Sequence, residues 1–501
     1  MVTGAVPSVL RAATMLGLLI IAPLLNRKYD SLSAIAVVAL FLLIINPLLI
    51  FHVGFQLSFA AVLSIVLLYP KILEKITFLP PFWAQSIAVI ISAQIGTIPI
   101  VAYHFHFISI AAFFINIPIV LLAGYVMPLG LITIVSAFIF YPLSVFLGKI
   151  LFILLKIMVI LTELAASMPM ASVQTVSPSI FFVICYYFFL FIISAEKCLP
   201  EGIWVQKRKK LCGLLIALYL AVWGISYLFP QNAEVIFVDV GQGDCTVIRT
   251  PKRKTILIDG GGNYDWSAQS WDVGEDVLVP FLLRNGIRHI DMVILSHPHR
   301  DHIGGLLSVF SHLKVDILFR GVGNYESEDL KILEELCKKN HVQIYLLQQG
   351  DQIQIEKDIH MEVLFPEKWN GAISDEEANN HSLVCLIRMK GIDILFTGDI
   401  EKETEMKLTE KYPDLRADIL KAAHHGSNTS NTEKWIRLLR PRMAVIQVGK
   451  NLFGHPSQEV LERFEQNHIY VFRNDQDGAI LLQIEGQRVR VKTTLKRETE
   501  S

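Results

Sequence analysis

Cysteine is scarce in this chain of 501 residues: Cys185, Cys198, Cys212, Cys245, Cys337 and Cys385 are all there are, and no two form a CxxC pair. No zinc ribbon is indicated, and no even framework for a disulfide scaffold exists in the polar half. Charge is scarce as well. Only 18% of residues are charged while 52% are hydrophobic, too apolar a balance for an ordinary soluble protein. The opening MVTGAVPSVLRAATM carries one charge and runs straight into further apolar segments, so no cleavable signal peptide stands out.

The scarcity is uneven. Residues 1–230 hold 12 Lys and Arg against 5 Asp and Glu; of the chain's 45 basic and 46 acidic groups, residues 231–501 therefore hold 33 and 41. The halves carry about +7 and −8, which predicts two domains, a membrane domain over 1–230 and a polar domain over 231–501.

Apolar runs recur near 12–25, 32–51, 54–70, 84–103, 108–141, 145–168, 177–194 and 211–229. A span needs ~20 apolar residues, so a polytopic bundle of about seven to nine crossings is expected, with 108–141 long enough for two and the first run short enough to be interfacial. Asn46-Pro47, Gly54–Ser58, Gln94 with Gly96 and Pro99, and Asn116 with Pro118 are polar or helix-disrupting. They fit either a polar-lined conduit of broken helices or ordinary helix contacts through small and polar residues. Lys197, Lys207, Arg208, Lys209 and Lys210 form the strongest basic loop, which places it in the cytoplasm and the polar half outside it.

In the polar half, SHPHRDHIGG at 296–305 packs His297, His299, Asp301 and His302 behind the apolar run Ile290–Leu295. Imidazoles and a carboxylate converging on a strand-to-helix turn are the N/O donor set of a zinc-type metal. Short strands are expected at 235–240, 244–250 and 255–261, helices at 274–285, 301–313 and 326–339, and a hairpin at 383–396 ending in Thr397-Gly398-Asp399. Two apolar-centred sheets with helices outside are the economical packing for this length. Asp399 lies just after ILFTG, and His424 and His425 follow the strand 418–423, so further metal donors stand on other loops.

These motifs resemble a metallo-β-lactamase-fold hydrolase. FVDVGQGDC, HPHRDHIGG, NNHSLV, LFTGD, HHGS and FGHPS, with PSVLRAATM and NPLLIFHVGFQLSF in the membrane half, together resemble the ComEC-type DNA-internalisation competence proteins over nearly the whole chain. The resemblance implies a polytopic α-helical membrane domain followed by an αββα sandwich with two divalent ions, zinc or manganese. It implies one ion on His297, His299 and His424, another on Asp301 and His302, and Asp399 bridging. Asp259 would orient ligands, Asp244 would face the cleft with His425 and Ser427 meeting substrate, and Asp301, His455 and His425 would serve catalysis. The implied chemistry is metal-activated water attacking a DNA backbone phosphorus.

Its implied setting is a bacterial plasma membrane, where double-stranded DNA is the source, one strand is imported and the other is degraded outside. Implied partners are DNA, the bilayer, other competence proteins or a separate N-terminal module, and copies of the chain itself. Two departures stand out. Where relatives in the wider fold carry a histidine before the TGD strand, this chain reads Asn379-Asn380-His381-Ser382, leaving Asn380 and His381 as alternatives beside the site. The chain also starts within the competence region, so a truncated, split or late-start product is expected. A membrane-anchored hydrolase of another extracellular phosphodiester, or a DNA channel with an inactive hydrolase domain, are the alternatives. The net acidity of the polar half counts against simple electrostatic capture of DNA, although Lys434–Arg442 and Arg488–Lys496 offer local basic stretches.

Overall fold

The computed structural model describes residues 7–194, 210–214, 216–221, 224, 232–262, 271–369 and 371–495. It divides into two units, Met1–Ser226 and Tyr227–Ser501. The basic residues Lys197, Lys207, Arg208 and Lys209 lie outside the described residues.

The first unit contains α1 (Pro7–Leu24), α2 (Ser31–Ile45), α3 (Val53–Lys75), α4 (Pro81–Phe105), β1 (Phe107–Ser109), α5 (Ala112–Ile139), α6 (Tyr141–Ala166), β2 (Ser172–Gln174) and α7 (Ile180–Ser194). Five of these helices, α1, α3, α4, α5 and α6, are long and apolar enough to cross a membrane; α2, α7 and Lys210–Ala221 are shorter apolar helices. Among the described residues each apolar run from 12–25 to 177–194 thus holds one α-helix, the run 32–51 ending in a short 3-10 turn. The run 108–141 does not divide in two, and the first run extends from Pro7 over 18 residues, longer than the sequence suggested.

Only one of the expected breaks is real. After α2 the side chain of Asn46 accepts from the Leu48 amide at 3.0 Å and the chain enters a short 3-10 turn, Pro47–Phe51. Gly54–Ser58 is simply the start of α3, and α5 runs on through Pro118. Helix α4 likewise continues through Pro99. Pro99 has no N–H for the Ile95 carbonyl one turn back. That carbonyl instead accepts from the Tyr186 hydroxyl of α7 at 2.7 Å, and the Gly96 carbonyl accepts from Tyr187 at 2.7 Å. Continuity through proline follows because a lipid-facing backbone has no water to satisfy opened groups, while a neighbouring helix can supply the missing donor. Gly96 has a packing reason too, since a Cβ there would lie 2.0 Å from Ser64 Oγ on α3. A cavity of about 580 Å³ opens among α1, α3 and α4, lined by Ser8, Gly54, Ser58, Gln94, Thr97 and Ser109 with apolar neighbours.

The second unit is built on β3 (Ala233–Phe237), β4 (Thr246–Arg249), β5 (Thr255–Ile258), β6 (His289–Leu295), β7 (Lys314–Gly321), β8 (Asn324–Tyr325), β9 (Gln343–Leu347) and β10 (Gln352–Glu356). It continues with β11 (Ile359–Phe365), β12 (Ala372–Ile373), β13 (Val384–Met389), β14 (Ile392–Phe396), β15 (Ile419–Lys421), β16 (Met443–Ile446), β17 (Tyr470–Arg473), β18 (Ile480–Glu485) and β19 (Arg488–Thr493). One sheet has the order β19-β18-β3-β4-β5-β6-β7-β9 and the other β10-β11-β13-β14-β15-β16-β17, with β8 and β12 pairing separately.

Each sheet is antiparallel in one part and parallel in the other, the parallel strands being β5, β6, β7 and β9 in the first and β14 to β17 in the second. Buried side chains such as Val235, Phe237, Ile256 and Ile294 from one sheet meet Val363, Ile387, Ile394 and Val445 from the other in one core. Trp435, Phe464 and Leu408 on helices cover the outer face of the second sheet. The segment 274–285 is one turn of π-helix, Gly274–Leu278, leading into the helix Val279–Arg284, rather than a uniform α-helix.

Candidate metal centre

The chemistry-bearing residues stand beyond the carboxyl ends of the parallel strands, where open α/β sheets place their ligands. Asp259 follows β5, His297 to His302 follow β6, Asp399 follows β14, and His424 and His425 follow β15. Asp301 and His302 lie in the first turn of the helix Arg300–His312. The GQGD loop is laid directly on that turn: Asp244 N–H donates to the Asp301 carbonyl at 3.0 Å, and a Cβ on Gly243, whose φ is +135°, would stand 2.3 Å from the same oxygen.

Asp301, His302, Asp399 and His425 offer ligand atoms that all lie within 4.8 Å of one another. His425 Nε2 is 3.0 Å from Asp301 Oδ2 and 3.4 Å from Asp399 Oδ2, and His302 Nε2 is 3.4 Å from Asp399 Oδ2. All four residues are buried, and Asp301 Oδ1, Asp399 Oδ1 and His302 Nε2 have no hydrogen-bond partner. Buried polar atoms left without partners are costly, and two carboxylates with two imidazoles are a suitable donor set for a divalent metal. The cluster therefore fits a metal ion.

The imidazoles are oriented from behind. His302 Nδ1 lies 2.9 Å from Asp259 Oδ2, and His425 Nδ1 lies 2.9 Å from the Gln447 carbonyl, which leaves both Nε2 atoms facing the cluster. Asp259 itself accepts from the Ser296 amide at 2.8 Å.

Electrostatics are dominated by four close carboxylates and one buried ammonium. Lys421, at the end of β15, forms an ion pair with Asp244, donates to the Gly398 carbonyl at 3.1 Å and stands 3.5 Å from Asp399 Oδ1. Burial would raise the Asp399 carboxyl, but His425, His302 and Lys421 hold it well below the usual range. Asp244 is lowered against burial by Lys421 and the two histidines, whereas burial wins at Asp259 and raises it. Burial would lower His425, yet Asp399 and Asp244 raise it to about 10, and His302 is raised well above its ordinary value by Asp399, Asp301, Asp259 and Asp244. The same negative field favours a divalent cation, whose binding would release those protons.

Among the described residues no group of three ligand-spaced donors includes His297, His299 or His424, although the His297 ring lies with its centroid 4.6 Å from that of His299 and 4.1 Å from that of His302. His297 is buried with Nε2 unpartnered, and burial with the nearby His302 pushes it well below its usual range. His299 Nε2 is 2.9 Å from the Asp375 carbonyl. His424 and His425 both have left-handed backbone, φ 50° and 51°, and their side chains diverge. His425 turns into the cluster while His424 turns toward Glu401, 3.5 Å from Nδ1, and remains 4.0 Å from Asp399. The preference for His424 as the ligand from this pair is thus reversed in the geometry.

Neither Asn380 nor His381 enters the cluster. Asn380 Oδ1 accepts from the Glu401 amide at 3.0 Å and Thr404 Oγ1 at 3.1 Å, and His381 Nδ1 is 3.1 Å from the Glu377 carbonyl. Asp244 and Ser427 are each only 3% exposed, Asp244 held by Lys421 and the Ser427 hydroxyl by Thr429, so neither faces open solvent where a substrate would arrive. His455 is half-buried, its ring 5.7 Å from that of His424. Burial, with His424 and His425, pushes its pKa down to about 4, so at neutral pH it offers an acceptor rather than a proton.

Lys421 and Gln447 were missed in the sequence. The available signal for Lys421 was a lysine inside the otherwise apolar stretch Ile419-Leu420-Lys421-Ala422-Ala423, a position that buries its side chain. Gln447 gave no such signal, because its carbonyl acts through His425 and its amide donates to the Cys245 carbonyl at 2.7 Å.

Residues 238–450 match the metallo-beta-lactamase superfamily, the class that this two-sheet fold and its buried His/Asp cluster define. Residues 1–197 match the competence protein family, so the chain combines a competence-protein domain with a metallo-beta-lactamase domain. It is 33% identical to ComE operon protein 3 of Bacillus subtilis (strain 168) over 501 residues, covering 96% of this chain and 62% of that protein. It is 26% identical to Recombination protein 2 of Haemophilus influenzae over 491 residues, covering 91% of this chain and 58% of that one. With Competence protein ComA of Neisseria gonorrhoeae it shares 26% identity over 270 residues, 52% of this chain and 35% of the relative. The chain spans about 60% of the length of the first two.

Proposed function

We propose that this chain takes part in DNA uptake during transformation, the helical unit forming a path for a single strand and the second unit cutting the strand that is not imported. The observation that carries the enzymatic part is the buried group Asp301, His302, Asp399 and His425. Asp301, His302, Asp399 and His425 would hold a divalent cation, which would supply an acidified water and positive charge for the leaving oxygen at neutral pH. Asp259 and the Gln447 carbonyl fix the two imidazoles, and Lys421 keeps Asp244 and Asp399 ionised. His297 and His299, next to this group, and His424, on its outer edge, are where a second ion or the substrate phosphate would approach. The partly polar cavity among α1, α3 and α4 supports the conduit reading.

The test is cleavage of single- and double-stranded DNA by the full chain in detergent with Mn²⁺ or Zn²⁺. Metal-dependent cutting by the wild type, abolished in His425→Ala, is the expected result; a folded, metal-loaded protein that cuts neither substrate would overturn the nuclease reading. That outcome would promote a second reading, hydrolysis of another extracellular phosphodiester, since the acidity of residues 231–501 counts against electrostatic capture of a densely charged DNA backbone.

The second unit is proposed to lie outside the cytoplasm, on the basic loop that precedes the last apolar segment. A periplasmic-type phosphatase fused after Ser501 is expected to be active and a cytoplasm-dependent fluorescent reporter dark. The opposite pair of signals would reverse the topology.

A further inference from the structure

Helix α6 carries a row of charge that neither its packing nor the metal chemistry requires. Its less exposed residues, among them Ser144, Leu147, Leu151, Leu154, Met158 and Ala165, recur at the three-and-four spacing of a helix seam and face α5. A Cβ on Gly130 of α5 would meet Leu151, and one on Gly148 would meet Thr133 of α5, each at 4.0 Å. Lys149, Lys156 and Glu163 are spaced by seven residues and fall on the side of α6 opposite that seam. All three are exposed, and among the described residues none of them forms an ion pair.

Hydrocarbon is a poor cover for this row. The helix is long and apolar enough to cross a membrane, and its rise puts Lys156 ~22 Å from Tyr141 and ~15 Å from Ala166, near the middle of a hydrocarbon layer ~30 Å thick. Helical side chains lean toward the N-terminus, so the Lys156 stem points along the longer of these two distances and away from the nearer interface. Charged side chains at such depth face a water-filled cavity or a partner of opposite charge. Glu163 needs neither, because it stands ~4.5 Å from the helix end, within reach of headgroups and water.

A second copy of the chain is a poor cover as well. Inserted in the same orientation and packed symmetrically on this face, it would set Lys149 against Lys149 and Lys156 against Lys156. What suits both lysines is an anion that repeats along the helix axis, which is the form of a phosphodiester backbone. The residues lining the cavity among α1, α3 and α4 are all uncharged, so that cavity offers phosphate no counter-charge, whereas α6 offers two ammonium groups on one line, ~10.5 Å apart along the axis.

We propose that Lys149 and Lys156 line a water-filled path and hold the phosphates of a single strand passing along α6. The proposal rests on the uptake reading above. It is tested by binding of a single-stranded oligonucleotide to the full chain in lipid nanodiscs over a series of salt concentrations, comparing the wild type with the double variant Lys149→Gln, Lys156→Gln. Each phosphate neutralised on a single strand contributes about 0.7 to the slope of log K against log salt, so the double variant is expected to be shallower by about 1.4, and Lys149→Arg with Lys156→Arg to keep the wild-type slope.

Water access is read separately, by treating Lys156→Cys and Leu155→Cys with a charged, water-soluble methanethiosulfonate and mapping the labelled peptides by mass. Lys156→Cys is expected to react at least about tenfold faster, because hydrocarbon holds a thiol in its unreactive protonated form. Equal rates at the two positions, or equal salt slopes for wild type and double variant, would overturn the proposal. A wild type that binds no strand would remove the uptake reading and this one with it, whereas binding with equal slopes would overturn only the role of α6.

Discussion

Asp399→Ala is expected to weaken metal binding by at least about a hundredfold, more than changes to residues that merely support a ligand usually cost. The same change is expected to slow any hydrolysis by about 10³-fold, the upper range for removing one fixed electrostatic partner from a reacting centre. The reason is position. One oxygen of Asp399 reaches both His302 and His425 at 3.4 Å, while the other lies 3.5 Å from Lys421, so this side chain joins the ligand group to its only close ammonium among the described residues. Metal content after dialysis and the rate on a phosphodiester check it, with thermal unfolding to show that the variant folds. Retention of full metal content would exclude Asp399 as a ligand.

Lys421→Met should act on stability before it acts on chemistry. Lys421 is 2% exposed and neutralises Asp244 and Asp399, which are equally buried. Removing one partner from a buried ion pair leaves the other uncompensated and costs about 3–5 kcal/mol. For a unit of this size that corresponds to about 6–20 °C in Tm. A metal ion would replace part of the missing positive charge, so the loss should be larger in chelator than in saturating Mn²⁺. Thermal unfolding of the second unit within the full chain, with and without metal, measures both; equal loss in the two conditions would mean that Lys421 and the metal do not share the same carboxylates.

The sequence showed the materials of this site more clearly than their directions. His297, His299, Asp301 and His302 were visible because four donors in six residues after an apolar run have few structural uses. Asp399 was visible at the end of a hairpin whose strands, β13 and β14, formed as the alternation suggested. What could not be read was which way adjacent histidines turn. His424 and His425 differ by one position and share a left-handed backbone, yet only His425 enters the cluster. Asn380 and His381 were ambiguous for the same reason, and their partners, Glu401 and the Glu377 carbonyl, lie on segments whose approach is tertiary. In the helical unit, composition located each apolar helix but overstated the breaks, because the donor that compensates for Pro99 comes from Tyr186, 87 positions away.

Among the described residues the two sheets share an apolar core but no ladder of backbone bonds. Hydrocarbon contact has little directional preference and tolerates small sliding. The polar rim does not: Asp301 and His302 come from the first layer, Asp399 and His425 from the second, and each distance between them is a condition on how the layers lie. A bound ion at that rim would act as a rivet between plates, so the residues that carry out the chemistry would also set the alignment of the whole sandwich.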